Sequence, residues 1–255
     1  MSQLPKIVIR YISDIHLEFI KPNKIINVLE NIEKQSEDEI CILAGDIGNP
    51  YSENYNIFTD YISETFKKTF IIAGNHEYYN NNKTIEETNL FLDEYFKQYD
   101  NITFLNNSFE IYNGYTFIGS TLWSKVTNPQ YEINDVHHIH NLNYIKYNEF
   151  NKISKEYLNH EIKLHENVIM ITHHMPSYSL IDEKYKEYGT DSYNQWFYSD
   201  MDIFIDENKY KIKGWIYGHT HTPSFKLIHN IPFLCNPIGY PNENNKVDFN
   251  KTFTI

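Results

Sequence analysis

Disulfides cannot organise this chain, because its 255 residues include only two cysteines, Cys41 and Cys235. Two distant cysteines make neither a disulfide framework nor a thiolate zinc site. Glycine and proline are scarce, at nine each, and no internal repeat, low-complexity tract or clear linker interrupts the chain. No apolar run approaches the ~18 residues needed to span a bilayer. The opening residues, MSQLPKIVIR, lack the charged-then-apolar layout of a signal peptide. A soluble, cytoplasmic protein without membrane contact is therefore expected. Positive charge is also in deficit: 22 lysines and arginines against 34 acids give a formal net charge of −12. Such a field repels a phosphate backbone, which disfavours long nucleic acid as a partner.

What is present is enough apolar residue, 41%, to bury a core, and the length fits one domain spanning 1–255. Its recurring unit is a short β-branched or aromatic run that stops abruptly at polar residues. KIVIRYIS stops at Asp14, EICILAG (39–45) at Asp46, TFIIAG (69–74) at Asn75, NVIMIT (167–172) at His173, and KGWIYG (213–218) at His219. Runs of this length with polar stops read as buried strands. Helical spacing lies between them, over 23–35 (Ile26, Leu29, Ile32), 83–99, a segment near 51–68, and 148–165 (Phe150, Ile153, Tyr157, Leu164). This alternation predicts an α/β fold with largely parallel, buried strands. Asn113-Gly114 between alternating runs predicts a type I′ hairpin. A second hairpin is expected across His229-Asn230, and KTFTI at the end is expected to close a sheet. Residues 125–147 and 176–199 lack periodicity and read as loops over one face.

Collected together, the polar stops are Asp14-Ile15-His16, Gly45-Asp46, Gly74-Asn75-His76-Glu77, His173-His174 and Gly218-His219-Thr220-His221. Carboxyl ends of parallel strands form one rim, where ligand sites sit, so these side chains are expected to converge. Carboxylate, imidazole and amide oxygen suit divalent manganese, iron, zinc or cobalt. The set exceeds the needs of one four-coordinate ion. With one aspartate bridging, it suits two ions about 3.5–4 Å apart.

The ordered pattern DIH … GD … GNHE … H … GHTH resembles the calcineurin-like metallophosphoesterase superfamily from Asp14 to His221. GSTLW (119–123), THHMPS (172–177), FYSDMD (197–202) and NPIGY (236–240) are similar to a compact single-domain bacterial-type branch. The resemblance implies an α/β sandwich of two mixed β-sheets flanked by α-helices, a four-layer αββα arrangement. It also implies two divalent cations, manganese favoured. Asp14, His16 and His221 would hold the first, Asp46 would bridge, and Asn75, His173 and His219 would complete the second. His76 would face substrate as proton donor or charge stabiliser, while Gly45, Gly74 and Gly218 would give sharp turns. The implied activity is hydrolysis of a small phosphate ester by hydroxide generated between the cations. The rivals are a nuclease for short oligonucleotides and a non-catalytic scaffold.

The chain departs from the phosphoprotein phosphatases of that superfamily, which carry arginines beside the second and third blocks. AGDIGNP and IIAGNHE have none, which favours a diester over a monoester. Asn49 stands where those enzymes pair an aspartate with the catalytic histidine. Between adjacent His173 and His174, the first directly follows its strand and is the favoured ligand. DVHHIH, with His137, His138 and His140, reads as a loop of surface histidines able to cap the pocket; Asp135 is its only carboxylate. His160, His165 and His229 are expected on the surface. Tyr78, Tyr79, Trp123 and Trp196 are candidates for a substrate wall or for core.

Overall fold

The computed structural model of the protein describes residues 4–243 and 247–255; the signal-peptide reading, as far as it rests on residues 1–3, lies outside them. The strands are β1 (Val8–Ile12), β2 (Ile40–Ala44), β3 (Lys68–Ile72), β4 (Ile102–Phe104), β5 (Ser108–Tyr112), β6 (Tyr115–Ser120), β7 (Val168–Thr172), β8 (Ile212–Tyr217), β9 (Ser224–Ile228), β10 (Ile231–Cys235) and β11 (Thr252–Thr254). The helices are α1 (Ile25–Leu29), α2 (Glu53–Thr65), α3 (Ile85–Tyr95), α4 (Asp135–His138), α5 (Tyr144–Leu164), α6 (Glu183–Lys186) and α7 (Asp202–Asn208).

Two sheets form, ordered β11-β1-β2-β3-β4 and β5-β6-β7-β8-β10-β9. β1 to β4 run parallel, with β11 antiparallel on the edge. β6, β7, β8 and β10 run parallel between antiparallel β5 and β9. The edges come from the two expected hairpins. Asn113 and Gly114 have φ of 52° and 83°, and His229 and Asn230 have 51° and 64°, the left-handed pair a type I′ turn demands.

Strand alternation builds the layers. Ile40, Ile42 and Ala44 point between the sheets toward Phe117, Ile169, Ile171 and Ile216, and Phe70 stacks on Phe117 at 4.1 Å. On the outer side, Cys41, Leu43 and Ile71 meet Tyr55, Phe58 and Ile62 of α2 and Leu92 of α3. Met170, Trp215 and Phe233 meet Leu158 and Ile162 of α5 and Phe204 and Ile205 of α7. Strands covered on both faces need apolar residues at every position, which is why their sequences read as continuous runs.

Two helices differ from their expected form. The first is broken: a 3-10 turn at Pro22–Lys24 leads into α1, which ends at Leu29. Its buried face begins at Ile25, while Ile26 is exposed. Beyond it the backbone is diverted, because Glu33 O accepts from Arg10 and Gln35 N donates to Glu39. α5 starts early, at Tyr144, because the Asn143 side chain accepts from Ile145 N and Lys146 N. Its buried face is Tyr147, Asn151, Ser154, Leu158 and Ile162; Ile153 and Leu164 are exposed. The amide of Asn151 bonds to Trp123 O and Ser199 Oγ, so hydrogen bonding fixes that face as much as apolar packing does. The other two hold with shorter limits, α2 capped by Ser52 and α3 by a Thr84–Glu87 capping box. The stretches expected as loops contain short helical turns, among them α4 and α6.

Arg10, the chain's sole arginine, is fully buried at the start of the parallel sheet. It pairs with buried Glu39 at 2.7 Å and donates to Phe249 O and Glu33 O. This ties β1, the entry to β2 and the carboxyl-terminal segment together. Glu39→Gln leaves that charge buried without its counter-ion, so it should cost about 3–5 kcal/mol in urea unfolding. A change below ~1 kcal/mol would show that the carbonyl bonds suffice for the guanidinium.

Candidate metal centre

The predicted residues lie in loops that leave β1, β2, β3, β7 and β8 at one rim. Main-chain bonds lock these loops together: Asp14 N to Gly45 O (3.0 Å), His16 N to Asp46 O (3.0 Å), and Gly218 N to His173 O (3.0 Å). The turns are strained. Asp14, His16, Asp46 and His219 have φ of 53°, 54°, 54° and 67°, a region costing non-glycine residues on the order of 1–3 kcal/mol each. Gly45 is also left-handed, at φ +86°. Gly74 and Gly218, expected as turn formers, supply clearance instead. A Cβ on Gly74 would stand 2.2 Å from Asp46 Oδ1, and one on Gly218 would stand 2.9 Å from Asp14 Oδ2.

Donor atoms converge in three overlapping groups: Asp14, His16 and His221; His16, Asp46 and His76; and Asp46, His173 and His219. Asp46 is common to two of them. Its Oδ1 accepts from His76 N at 2.7 Å, while its Oδ2 stands 3.2 Å from His173 Nε2 and 3.9 Å from His16 Nε2. One carboxylate oxygen thus faces both halves of the cluster. On one side, His16 Nε2 lies 3.1 Å from His221 Nε2, and Asp14 Oδ1 accepts from His219 N. On the other, Asn75 Oδ1 is 3.0 Å from His173 Nε2.

The electrostatics fit cations. Asp14 Oδ2 and His219 Nε2 are buried without a hydrogen-bond partner, a costly arrangement unless something cationic and Lewis-acidic meets each of them. Burial, with neighbouring His174 and His173, pushes the His219 ring well below the usual histidine range, which leaves a neutral nitrogen lone pair. Burial works to raise Asp46, but the imidazoles of His173 and His76 outweigh it and hold the carboxyl well below its usual value.

Carboxylates stand behind several imidazoles and turn the far ring nitrogen toward the centre. Glu18 Oε1 accepts from Nδ1 of His76 (2.8 Å) and of His16 (3.1 Å), and Glu243 Oε2 accepts from His221 Nδ1 (2.5 Å). His173 Nδ1 donates to Ala44 O at 2.9 Å. Such partners set the tautomer and aim the ring. Sequence reasoning did not find Glu18 or Glu243, and it placed Glu77 and Tyr240 in quoted motifs without giving either a role. The carboxylate on His76 comes from Glu18, two residues after His16, whereas Asn49 caps its own turn through Tyr51 N. Glu77, next to His76, accepts main-chain N–H from Gly74, Asp46 and Ile47.

His174 turns away: its ring bonds to Tyr147 OH (2.8 Å) and Thr121 O (3.2 Å), and burial pushes it down to about 3. Trp123, Trp196 and Tyr78 are core, all but fully buried. Tyr79 alone of the wall candidates reaches the site, stacked on His76 at 4.1 Å. Phe19 and Tyr240, neither given a role from the sequence, stand at the rim 5.3 Å apart, with Tyr240 OH 3.3 Å from His76 Nε2. His137, His138, His140, His160 and His229 are exposed, and His165 is half-buried against Glu161. Asp135 in the same loop is buried and bonded to Asn75.

Two packed mixed sheets with a rim of carboxylate, amide and imidazole donors define a metal-dependent hydrolase of the α/β sandwich class. Residues 7–223 match the family of calcineurin-like phosphoesterases, and the chain belongs to that family. It is 32% identical to the uncharacterized protein L509 of Acanthamoeba polyphaga mimivirus over 265 residues, 93% of each chain. Its fold is similar to that of the phosphopantetheinyl hydrolase PptH from Mycobacterium tuberculosis, with a TM-score of 0.77, 16% identity and coverage of 98% and 96%. The protein TT1561 of Thermus thermophilus shares the fold at a TM-score of 0.60, with 12% identity and 98% coverage of both chains. The expected sandwich and family are thereby shown. No helix among the described residues is long and apolar enough to cross a membrane.

The central place of Asp46 Oδ2 gives a direct expectation. Asp46→Asn keeps the shape but removes the charge shared by both halves of the cluster. It should lower manganese uptake and turnover together, by more than alanine at any other single donor, read by elemental analysis and initial rates. Retention of two ions and near-normal turnover would take Asp46 out of the bridging position.

Proposed function

We propose that the chain is a dinuclear metallophosphoesterase acting on small phosphodiesters, with Asp14, His16 and His221 holding one divalent cation. In this reading Asp46 bridges, and Asn75, His173 and His219 hold the second. The observation that carries it is the single Asp46 oxygen facing His16 Nε2 and His173 Nε2 across the centre. Two cations there would acidify a water molecule and offset charge on the phosphoryl oxygens. Manganese remains the favoured metal. Residues 1–255 act as one catalytic domain. Both cysteines are buried and free, which suits a reducing cytoplasm.

The protein's own groups then divide the work. His76 Nδ1 donates to Glu18, so Nε2 is the nitrogen left toward substrate and Tyr240. Burial alone makes this ring less basic, but the charge of Asp46 and the bond to Glu18 outweigh it and take it up to about 9 in the metal-free protein. The bond to Glu18 favours the protonated ring, the form that can give its proton to a departing alkoxide. Tyr79 stacked on one face keeps the ring from rotating away. No guanidinium is free to grip a phosphate dianion, since Arg10 is committed to Glu39 and main-chain carbonyls. That supports the diester over the monoester. A scaffold that merely reuses the fold would have no need of an intact donor set with its backing carboxylates.

Two manganese ions per chain should be taken up on reconstitution, measured by elemental analysis. Saturation at one ion or none would count against the dinuclear reading. His76→Asn should keep both ions and lower turnover on the order of 10²–10⁴-fold for diesters with alkoxide leaving groups. The loss should shrink for nitrophenolate, which departs without a proton. An equal loss with every leaving group would assign His76 to charge stabilisation instead.

A further inference from the structure

The amide of Asn75 presents a problem of direction. Its oxygen and nitrogen are nearly the same size, yet only the oxygen can meet a cation. Packing alone cannot tell them apart, so something must read the amide chemically. Nδ2 of Asn75 donates to Asp135 Oδ1 at 2.8 Å and lies 3.4 Å from Tyr79 OH, while Oδ1 faces His173 Nε2 at 3.0 Å. A carboxylate accepts and cannot donate, so it tolerates only the N–H₂ side of the amide. A flipped amide would set two oxygens against each other inside a buried site.

Asp135 is well placed for this. It is 1% exposed and opens α4 in the loop between β6 and α5. The same Oδ1 accepts from the hydroxyl of Tyr79, whose ring stacks on His76. The loop is latched to the 75–80 segment at two further points. Tyr79 bridges Ile139, and Asn80 pairs with His138 through Asn80 N to His138 O (2.9 Å) and His138 Nδ1 to Asn80 Oδ1 (3.0 Å). The segment that reads as a run of surface histidines thus delivers one buried acid to the back of the centre.

We propose that Asp135 is a positioning residue that fixes the Asn75 amide oxygen-first toward the second cation and, through Tyr79, backs the ring of His76. The inference rests on the ligand assignment above. It predicts an asymmetry: Asp135 serves the Asn75 half of the centre and not the half held by Asp14, His16 and His221.

The test is manganese binding by calorimetry on the full chain, with electron paramagnetic resonance of the bound ions to detect a coupled pair. Wild type should bind two ions and show coupling. Asp135→Asn should leave the affinity of one ion unchanged, weaken the other by about 10–100-fold, the usual effect of losing an outer partner, and lose the coupled signal at limiting manganese. Exchange of the two groups, Asn75→Asp with Asp135→Asn, restores one carboxylate facing the metal and one amide donating to it. It should recover most of the second affinity relative to Asp135→Asn alone. Unchanged affinities in Asp135→Asn would overturn the positioning role while leaving the ligand assignment intact. Equal weakening of both ions, or no recovery in the exchanged protein, would also overturn it, since the carboxylate would then merely hold the loop. Fewer than two ions on wild type would overturn the ligand assignment and this inference together.

Discussion

The buried carboxylate of Glu77 is the constraint on which the rest of the centre depends. Its oxygens accept from Gly74 N (2.6 Å), Asp46 N (3.0 Å) and Ile47 N (2.7 Å). The loops after β2 and β3 are therefore tied through one side chain. Asp46 answers by accepting from His76 N, so each loop holds the other through an acid. Burial and the nearby charge of Asp46 push Glu77 upward from the usual carboxylate range. The opposing pull of the His173 imidazole and of the main-chain N–H groups, among them those of Gly74 and Ile47, explains why such a group is tolerated there. Without this tie the β2 and β3 loops would lose their common anchor, and Asp46 and Asn75 would no longer be held at a fixed separation.

That tie also accounts for the strain. Four of the seven proposed ligands sit in left-handed backbone, where β-carbon contacts are unfavourable. Strained turns survive only when the surroundings over-determine them. Here the surroundings are two sheets whose parallel strands are buried on both faces, with Phe70 stacked on Phe117 across the gap. The stiff layer interior fixes where each strand ends, and the short loops have no slack to relax. Clearance completes the arrangement: Gly74 and Gly218 carry no Cβ where Asp46 and Asp14 must pass. The rim is a product of the core rather than a decoration on it.

This separation explains what could be read from sequence. Strand cores and their polar stops share one signal, since an apolar run must end where the chain reaches solvent or a site. The residues meeting at the rim were therefore legible in order. Supporting groups were not, because their roles exist only in three dimensions. Glu18 looks like a loop acid, Glu77 like part of a turn, and Asp135 like the acidic neighbour of exposed histidines. Hydrophobic periodicity misplaced the buried face of α5 by about one position, whereas in the first helix Leu29 and Ile32 are buried as expected and only Ile26 is exposed. In α5 the reason is specific: Asn151 and Ser154 are buried, and a pattern of apolar residues cannot register a face built partly from polar ones. Trp123 and Trp196 were ambiguous because a large ring suits a wall and a core equally; burial decides for the core.

The same supporting acids create an imbalance that has structural weight. Asp14, Glu18, Asp46, Glu77 and Asp135 are gathered at one rim, and the groups that bond to them there are main-chain N–H, imidazoles, amides and a phenol rather than lysine or arginine. Imidazoles can neutralise some of that charge only by holding protons, as the upward shift of His173, to about 10 against the pull of burial, indicates. Divalent cations would take over this work and release those protons, because a metal-bound imidazole must be neutral. Binding and folding are then linked: a ligand that favours the native state at a hundred times its dissociation constant adds about 2.7 kcal/mol. That is comparable to the strain of one or two left-handed residues. Bound cations would thus offset part of the strain that makes these loops look expensive in isolation. Asp135, outside the direct donor set yet bonded to Asn75, extends the same logic one layer back, where an acid acts on the centre through the direction of an amide.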